Sequence, residues 1–170
     1  GSDSLRPSSQ GQRKTYPLVL HRCKAPEWKL GICIPLHINT KSEEEEISFF
    51  KECCPIDALS VKDILYEAVY GITSSIVEDD KSIFCKSLGK IQSSKWKNAE
   101  RQLYGKQLIE LERGLLSLGA SVVGMSSLGP MLFFLGEAIE DIPQKLKNKF
   151  PQTSCFITTI NNDSRLIING

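Results

Sequence analysis

Long apolar runs are missing from this sequence. No stretch of its 170 residues approaches the roughly 20 consecutive apolar positions that a membrane-spanning helix requires. An excess of either charge is missing too: 21 Lys and Arg stand against 20 Asp and Glu, a net charge of +1. That balance gives no support for a broad nucleic-acid-binding surface or for docking on acidic membranes. Histidine is scarce. Neither His21 nor His37 has a second His or Cys at ligand spacing on a defined element, which argues against a metal site. Cysteine is present at six positions, Cys23, Cys33, Cys53, Cys54, Cys85 and Cys155, but no C-x-x-C pair occurs. A chain of this length is not a small disulfide-stapled scaffold, so reduced thiols in a cytoplasmic protein are expected. Whether any of them is redox-active does not follow from the sequence. A secretory signal pattern is also missing.

What is there is an ordinary globular composition, 41% hydrophobic and 24% charged, enough for one domain with a real core. Residues 1–15, GSDSLRPSSQGQRKT, are polar and lack apolar periodicity; they read as a tag remnant followed by an interdomain linker. The domain proper is expected over 16–170. Leu18-Val19-Leu20 is a short strand candidate. Trp28 to Ile34 is a stronger one, apolar on both parities towards its end and stopped by Pro35.

Helical patterns follow. Ser42 can cap a helix, with Glu45 completing a capping box and Glu43 to Glu46 complementing the positive end of the helix dipole. Metal binding by this acidic run is the poorer reading, because neighbouring residues on a helix point apart. Ser60 caps a second helix with a stripe of Val61, Ile64, Leu65, Ala68, Val69, Ile72 and Ile76. A third covers Asp80 to Ile91 with Ile83, Phe84, Ser87 and Leu88 inward, and QSSKWK breaks it. Trp96 in that break could stack on a base or sugar, or anchor the connection to the core. A fourth helix runs from Asn98 to Leu118, with Tyr104, Leu108, Leu111, Leu115 and Leu118 stepping by four and three until Gly119 ends it. That stripe serves as an intramolecular seam or as a homodimer contact, and the sequence leaves both open.

Two strand-like runs, Ala120 to Val123 and Met131 to Leu135, then flank a loop, Gly124-Met125-Ser126-Ser127-Leu128-Gly129-Pro130. A helix over Glu137 to Phe150 and strands at Cys155 to Ile160 and Leu166 to Ile168 complete the chain. The order β, helices, β, β, α, β is that of an α+β, ferredoxin-like βαββαβ sandwich with an enlarged helical first crossover, its helices expected on one face of an antiparallel sheet.

The loop is longer than a hairpin needs. It is not a Walker loop, since no GKS or GKT follows, nor a G-x-G-x-x-G dinucleotide loop. The closing glycine of a G-x-S-x-G elbow is absent. On its residues alone it is either a structural turn or an anion-binding bend, in which backbone N–H groups and the hydroxyls of Ser126 and Ser127 meet a phosphate or carboxylate.

Taken whole, LGASVVGMSSLGPMLFFL resembles the third motif of the GHMP small-molecule kinase superfamily. It is most similar to that of the archaeal β-ribofuranosylaminobenzene 5′-phosphate synthases, at Gly119, Ala120, Gly124, Ser126, Ser127, Gly129 and Pro130. LRPSSQGQRKTYPLVLHRCKAPEWKLGICIP resembles the segment that joins that family's two domains. Met125 and Leu128 stand where the family more often has Gln or Gly and an aromatic residue. The resemblance implies a GHMP-type C-terminal domain, without the N-terminal domain that carries the phosphate loop. It implies a full-length enzyme that joins phosphoribosyl pyrophosphate to para-hydroxybenzoate, with Mg²⁺ held mainly by the N-terminal domain, as an early step towards methanopterin-type cofactors. A ligand-binding loop of Gly124, Met125, Ser126, Ser127, Gly129 and Pro130 goes with it. A small-molecule kinase and a non-catalytic ligand-binding or dimerisation module are the alternative readings of the same pattern.

Overall fold

The computed structural model describes residues 21–163. Strand β1 (Lys29–Pro35) is followed by α1 (Glu43–Cys53), α2 (Ala58–Tyr66), a π-helical segment (Glu67–Thr73) and α3 (Ser74–Val77). Then come α4 (Lys81–Gln92), α5 (Lys95–Gln102), α6 (Gly105–Ser117), β2 (Val122–Met125), β3 (Leu132–Leu135), α7 (Ile142–Lys149) and β4 (Thr153–Thr159). The strands form a four-stranded sheet in the order β2-β3-β1-β4, with every neighbouring pair antiparallel. This is the expected ferredoxin-like arrangement, and its first crossover holds α1 to α6. The strands expected at Leu18 to Leu20 and Leu166 to Ile168, and the 15/16 domain boundary, lie outside the described residues.

Helices cover both faces of the sheet, not one. Cys33, Val123, Met125, Leu132 and Phe134 pack with Leu108, Leu111 and Leu115 of α6 and Ile142 and Leu146 of α7. On the opposite face Val122 and Leu135 meet Cys85 and Leu88 of α4, with Trp28, Phe84 and Phe133 around them. The reason lies in the strands. Val122-Val123 and Leu132 to Leu135 are apolar on both parities, so each face needs its own cover. Two cross-strand pairs set a glycine against a phenylalanine: Gly31 opposite Phe134, and Gly124 opposite Phe133. A Cβ on Gly31 would lie 2.0 Å from the Phe134 ring, and one on Gly124 2.3 Å from the Phe133 ring.

Local signals place the helix ends. Ser42 and Glu45 form the expected capping box on α1. Asp57, not Ser60, caps α2: its carboxylate accepts from Ser60 N at 2.9 Å, and the Ser60 hydroxyl donates to the same carboxylate. An ionised acceptor outcompetes a hydroxyl at the positive end of a helix. The long second helix widens into π geometry, where the Thr73 hydroxyl donates to the carbonyl of Ala68, five residues back. Gly71 there admits Ser87 of α4; a Cβ on Gly71 would lie 2.1 Å from Ser87 Oγ. Leu65 and Val69, expected inward, point out, as does Ile83 of α4. The expected fourth helix is two, broken at Leu103 and Tyr104 before Gly105, whose φ of +68° suits glycine. Gly119 ends α6 with φ +112° as expected. Helix α7 begins only at Ile142, because Pro143 fits a first turn and not a helix interior.

Candidate functional site

The structure divides the residues of the expected ligand-binding loop. Gly124 and Met125 belong to β2 and are buried. Gly124 lies under the ring of Phe133, which explains its missing side chain without a ligand. Met125 points into the core, and its sulfur lies beneath the loop: a Cβ on Gly129 would come within 2.6 Å of it and 3.0 Å of the Tyr104 ring. Gly129 also has φ +83°, so two constraints require glycine there. Leu128 and Pro130 are buried and anchor the loop. Ser126 and Ser127 are left at the surface, half-buried and exposed respectively.

Between these anchors the chain makes a tight bend. Gly129 N donates to Ser126 O at 2.7 Å, and Ser126 N donates to Met131 O at 3.0 Å. Ser127 adopts φ +47°, unusual for a residue with a side chain. Among the described residues the N–H groups of Ser127 and Leu128 have no acceptor. Two adjacent donors at the tip of a bend, flanked by the serine hydroxyls, suit one negatively charged oxygen group.

A polar framework that carries no motif holds the loop from below. Lys97 Nζ donates to Ser127 O at 2.8 Å and pairs with the buried carboxylate of Glu100. Its charge is therefore compensated within the protein and holds the loop in place. Arg101 is 6% exposed. Its guanidinium donates to Gln92 Oε1 at 3.0 Å and Gln92 O at 2.5 Å, and through Nε to Glu112 Oε2 at 2.8 Å. Gln92 Oε1 in turn accepts from Met125 N at 3.1 Å, supplying the bond that a further strand would give to the outer edge of β2. Tyr104 packs against Gly129 with Lys41 Nζ 5.7 Å above its ring. Burial pushes its phenol up from the ordinary value.

Nothing in local spacing marked Gln92, Arg101 or Glu112, because their bonds join three separate helices to β2; Lys97 and Glu100 pair three residues apart on α5, but that spacing does not reveal the bond from Lys97 to the loop. The remaining candidates resolve into structure. Trp96 packs against Phe49 and Phe50 at 5.2 and 5.8 Å, the anchoring role. His37 Nδ1 lies 3.3 Å from Gln152 O. A groove of about 520 Å³ runs beside β2, lined by Gln92, Asn98, Arg101, Glu112 and Arg113; the serines of the loop do not line it. Among the described residues no group of three or more His, Cys, Asp or Glu is placed to hold a metal ion. No described helix is long and apolar enough to cross a membrane.

This architecture, with its antiparallel sheet and helical crossover, is that of the C-terminal domain of GHMP-type kinases. A homoserine kinase from Cytophaga hutchinsonii superposes with a TM-score of 0.63 at 19% identity, covering 83% of this chain and 44% of the kinase. The mevalonate kinase of L. major does so with 0.58 at 16% identity, covering 81% and 44%. At such identities the likeness concerns the fold alone. In sequence the chain is similar to curated β-ribofuranosylphenol 5′-phosphate synthases, in line with the resemblance carried by the loop motif. The Archaeoglobus fulgidus protein is 29% identical over 163 residues, 95% of this chain and 50% of the relative. The Methanothermobacter thermautotrophicus protein is 30% identical over 132 residues, 78% of this chain and 40% of the relative. The chain thus spans about half the length of the curated relatives it matches. No family model matches it.

Proposed function

We propose that this chain is the C-terminal half of a cytoplasmic phosphoribosyl transferase of the β-ribofuranosylphenol 5′-phosphate synthase type. The carrying observation is the likeness to two such synthases over 95% and 78% of the chain. In this reading the full-length protein joins the anomeric carbon of phosphoribosyl pyrophosphate to para-hydroxybenzoate, releasing pyrophosphate and carbon dioxide. Both substrates are anionic, and the departing pyrophosphate gains charge as its bond breaks. Fixed donors aimed at that charge lower the barrier, because they need no reorientation during the reaction. The free N–H groups of Ser127 and Leu128 and the hydroxyls of Ser126 and Ser127 are such donors, held in place by Lys97 and by the Arg101–Gln92 framework. They would bind a phosphate or the aromatic carboxylate. The partner is the N-terminal domain, which supplies the rest of the site; Mg²⁺, bound there, would offset pyrophosphate charge.

The test uses the full-length protein. Changing Ser126→Ala and Ser127→Ala together is expected to lower kcat/KM for pyrophosphate release by about 10–100-fold, the worth of hydrogen bonds to a charged group. The 170-residue chain alone should show no turnover. ATP consumption with a small alcohol and no pyrophosphate release would replace this reading with a kinase. Unchanged kinetics in the double variant would make the loop a structural turn.

A further inference from the structure

Cys33 of β1 and Cys155 of β4 are directly opposite each other across the antiparallel ladder. Their type of pairing follows from the register. Leu36 N donates to Gln152 O at 2.9 Å, which makes the 36/152 pair, one step beyond Pro35 opposite Thr153, a hydrogen-bonded one. Hydrogen-bonded and non-hydrogen-bonded pairs alternate along such a ladder, so three steps on, Cys33 and Cys155 form a non-hydrogen-bonded pair. Pairs of that kind bring Cα atoms to about 4.5 Å and their side chains closest together. That separation falls inside the range of about 4.4–6.8 Å that a disulfide spans. Both thiols lie on the α6–α7 face; Cys33 is fully buried, while Cys155 is half-buried on the edge strand, where a reagent can reach it.

We propose that Cys33 and Cys155 are an oxidation site, a facing cross-strand thiol pair that closes into a disulfide when it meets a low-molecular-weight disulfide such as oxidised glutathione. The roles are unequal. The hydrogen bond from Cys33 holds the Cys155 thiol below its ordinary value, while Cys33 is pushed up by that contact and by burial. Cys155 therefore attacks first. Its thiolate takes one sulfur of the small disulfide and releases the other as a thiolate. The Cys33 sulfur then attacks Cys155 Sγ, forming the Cys33–Cys155 bond and expelling the second small thiolate. The two protons of the protein thiols pass to the two small thiolates. The pair loses two electrons, and the small disulfide gains them. Cys33 also pairs with Leu132, the first residue of β3 after the loop, so the bond would tie the sheet edge to the strand that leaves the candidate site. The inference stands on the β1–β4 register and is independent of the proposed reaction.

The native chain is incubated with oxidised glutathione, alkylated, digested and mapped by mass spectrometry. The expected product is a Cys33–Cys155 linked peptide, reversed by dithiothreitol, with a raised denaturation midpoint for the oxidised protein. The link and the midpoint shift should survive Cys53→Ser with Cys54→Ser. In Cys33→Ala a glutathione adduct should accumulate at Cys155, and Cys155→Ser should leave Cys33 unmodified in the folded protein. If Cys33→Ala fails to fold, the linked peptide and the Cys155→Ser variant decide. A Cys53–Cys54 link alone, or adducts confined to Cys23, would overturn the proposal.

Discussion

Helix α6 and the rod formed by α2, the π segment and α3 carry similar apolar spacing and meet different neighbours. Leu108, Leu111 and Leu115 of α6 are at most 1% exposed, locked between β3, α7 and the Met125 side of the sheet. On the rod, Ile64, Ala68 and Ile72 turn inward only to half-burial, and Leu65, Tyr66, Val69, Tyr70 and Val77 lie on the outside. The rod is held by a close approach at Gly71 and by the Lys90–Glu67 pair, whose Nζ–Oε1 distance is 2.6 Å. Equal periodicity thus marks two helices of unequal worth to the core. Spacing defines a helix face, while the partner surface sets how much of that face is removed from water.

Substitutions can widen or erase this contrast. The largest expected effect is Leu111→Ala, at about 3–5 kcal/mol of unfolding free energy in urea titration, since it opens a cavity in the closed face. Leu65→Ala should cost under about 0.5 kcal/mol. Equal losses in the two variants would show that the rod is as much core as α6. Next is Arg101→Met, expected to cost about 3 kcal/mol by leaving Glu112 and Gln92 without their shared donor. Amide exchange at Met125 should accelerate at the same time, because Gln92 loses its orientation; unaltered exchange there would uncouple the framework from the loop. The smallest effect is on the rod itself. The Lys90 ammonium holds the Glu67 carboxyl below its ordinary value. Its contribution to stability is present above the usual carboxylate pKa of about 4.3 and is lost as pH falls through the folded value. Glu67→Gln should therefore lower the denaturation midpoint slightly near neutrality, with the difference from the native chain vanishing as pH falls through the folded value, so that the variant's acid limb is flatter. An identical acid limb in the variant would leave the pair without a role in holding the rod.

The same contrast explains which parts of the molecule could be read locally. The capping box at Ser42 and Glu45 and the stop at Gly119 are short-range features that place their own helix ends. The loop between β2 and β3 was also legible, because two apolar runs around a Gly, Ser and Pro bend permit few other structures. The candidate site was only half legible. Ser126 and Ser127 reach the surface, while Gly124 is there to receive the Phe133 ring and Met125 to fill the core beneath Gly129. A glycine needed by an aromatic ring across a ladder and one needed by a ligand look alike in a string of residues. Gln92, Arg101 and Glu112 bear no mark in their own neighbourhoods, since each finds its partner only after α4, α5 and α6 are packed; the Lys97–Glu100 pair is local to α5, and only the bond from Lys97 to Ser127 O is tertiary.

By itself the sequence determined the order β, helices, β, β, α, β, the capping box of α1, the glycine stop of α6 and the place of the loop, because these depend on contacts within a few residues. Only the tertiary structure decided that α4 crosses to the second face of the sheet, that the rod's outer ridge stays in water, and that Cys33 meets Cys155. Those outcomes depend on the register of strands far apart in the chain and on which apolar faces remain to be covered once the first core has closed.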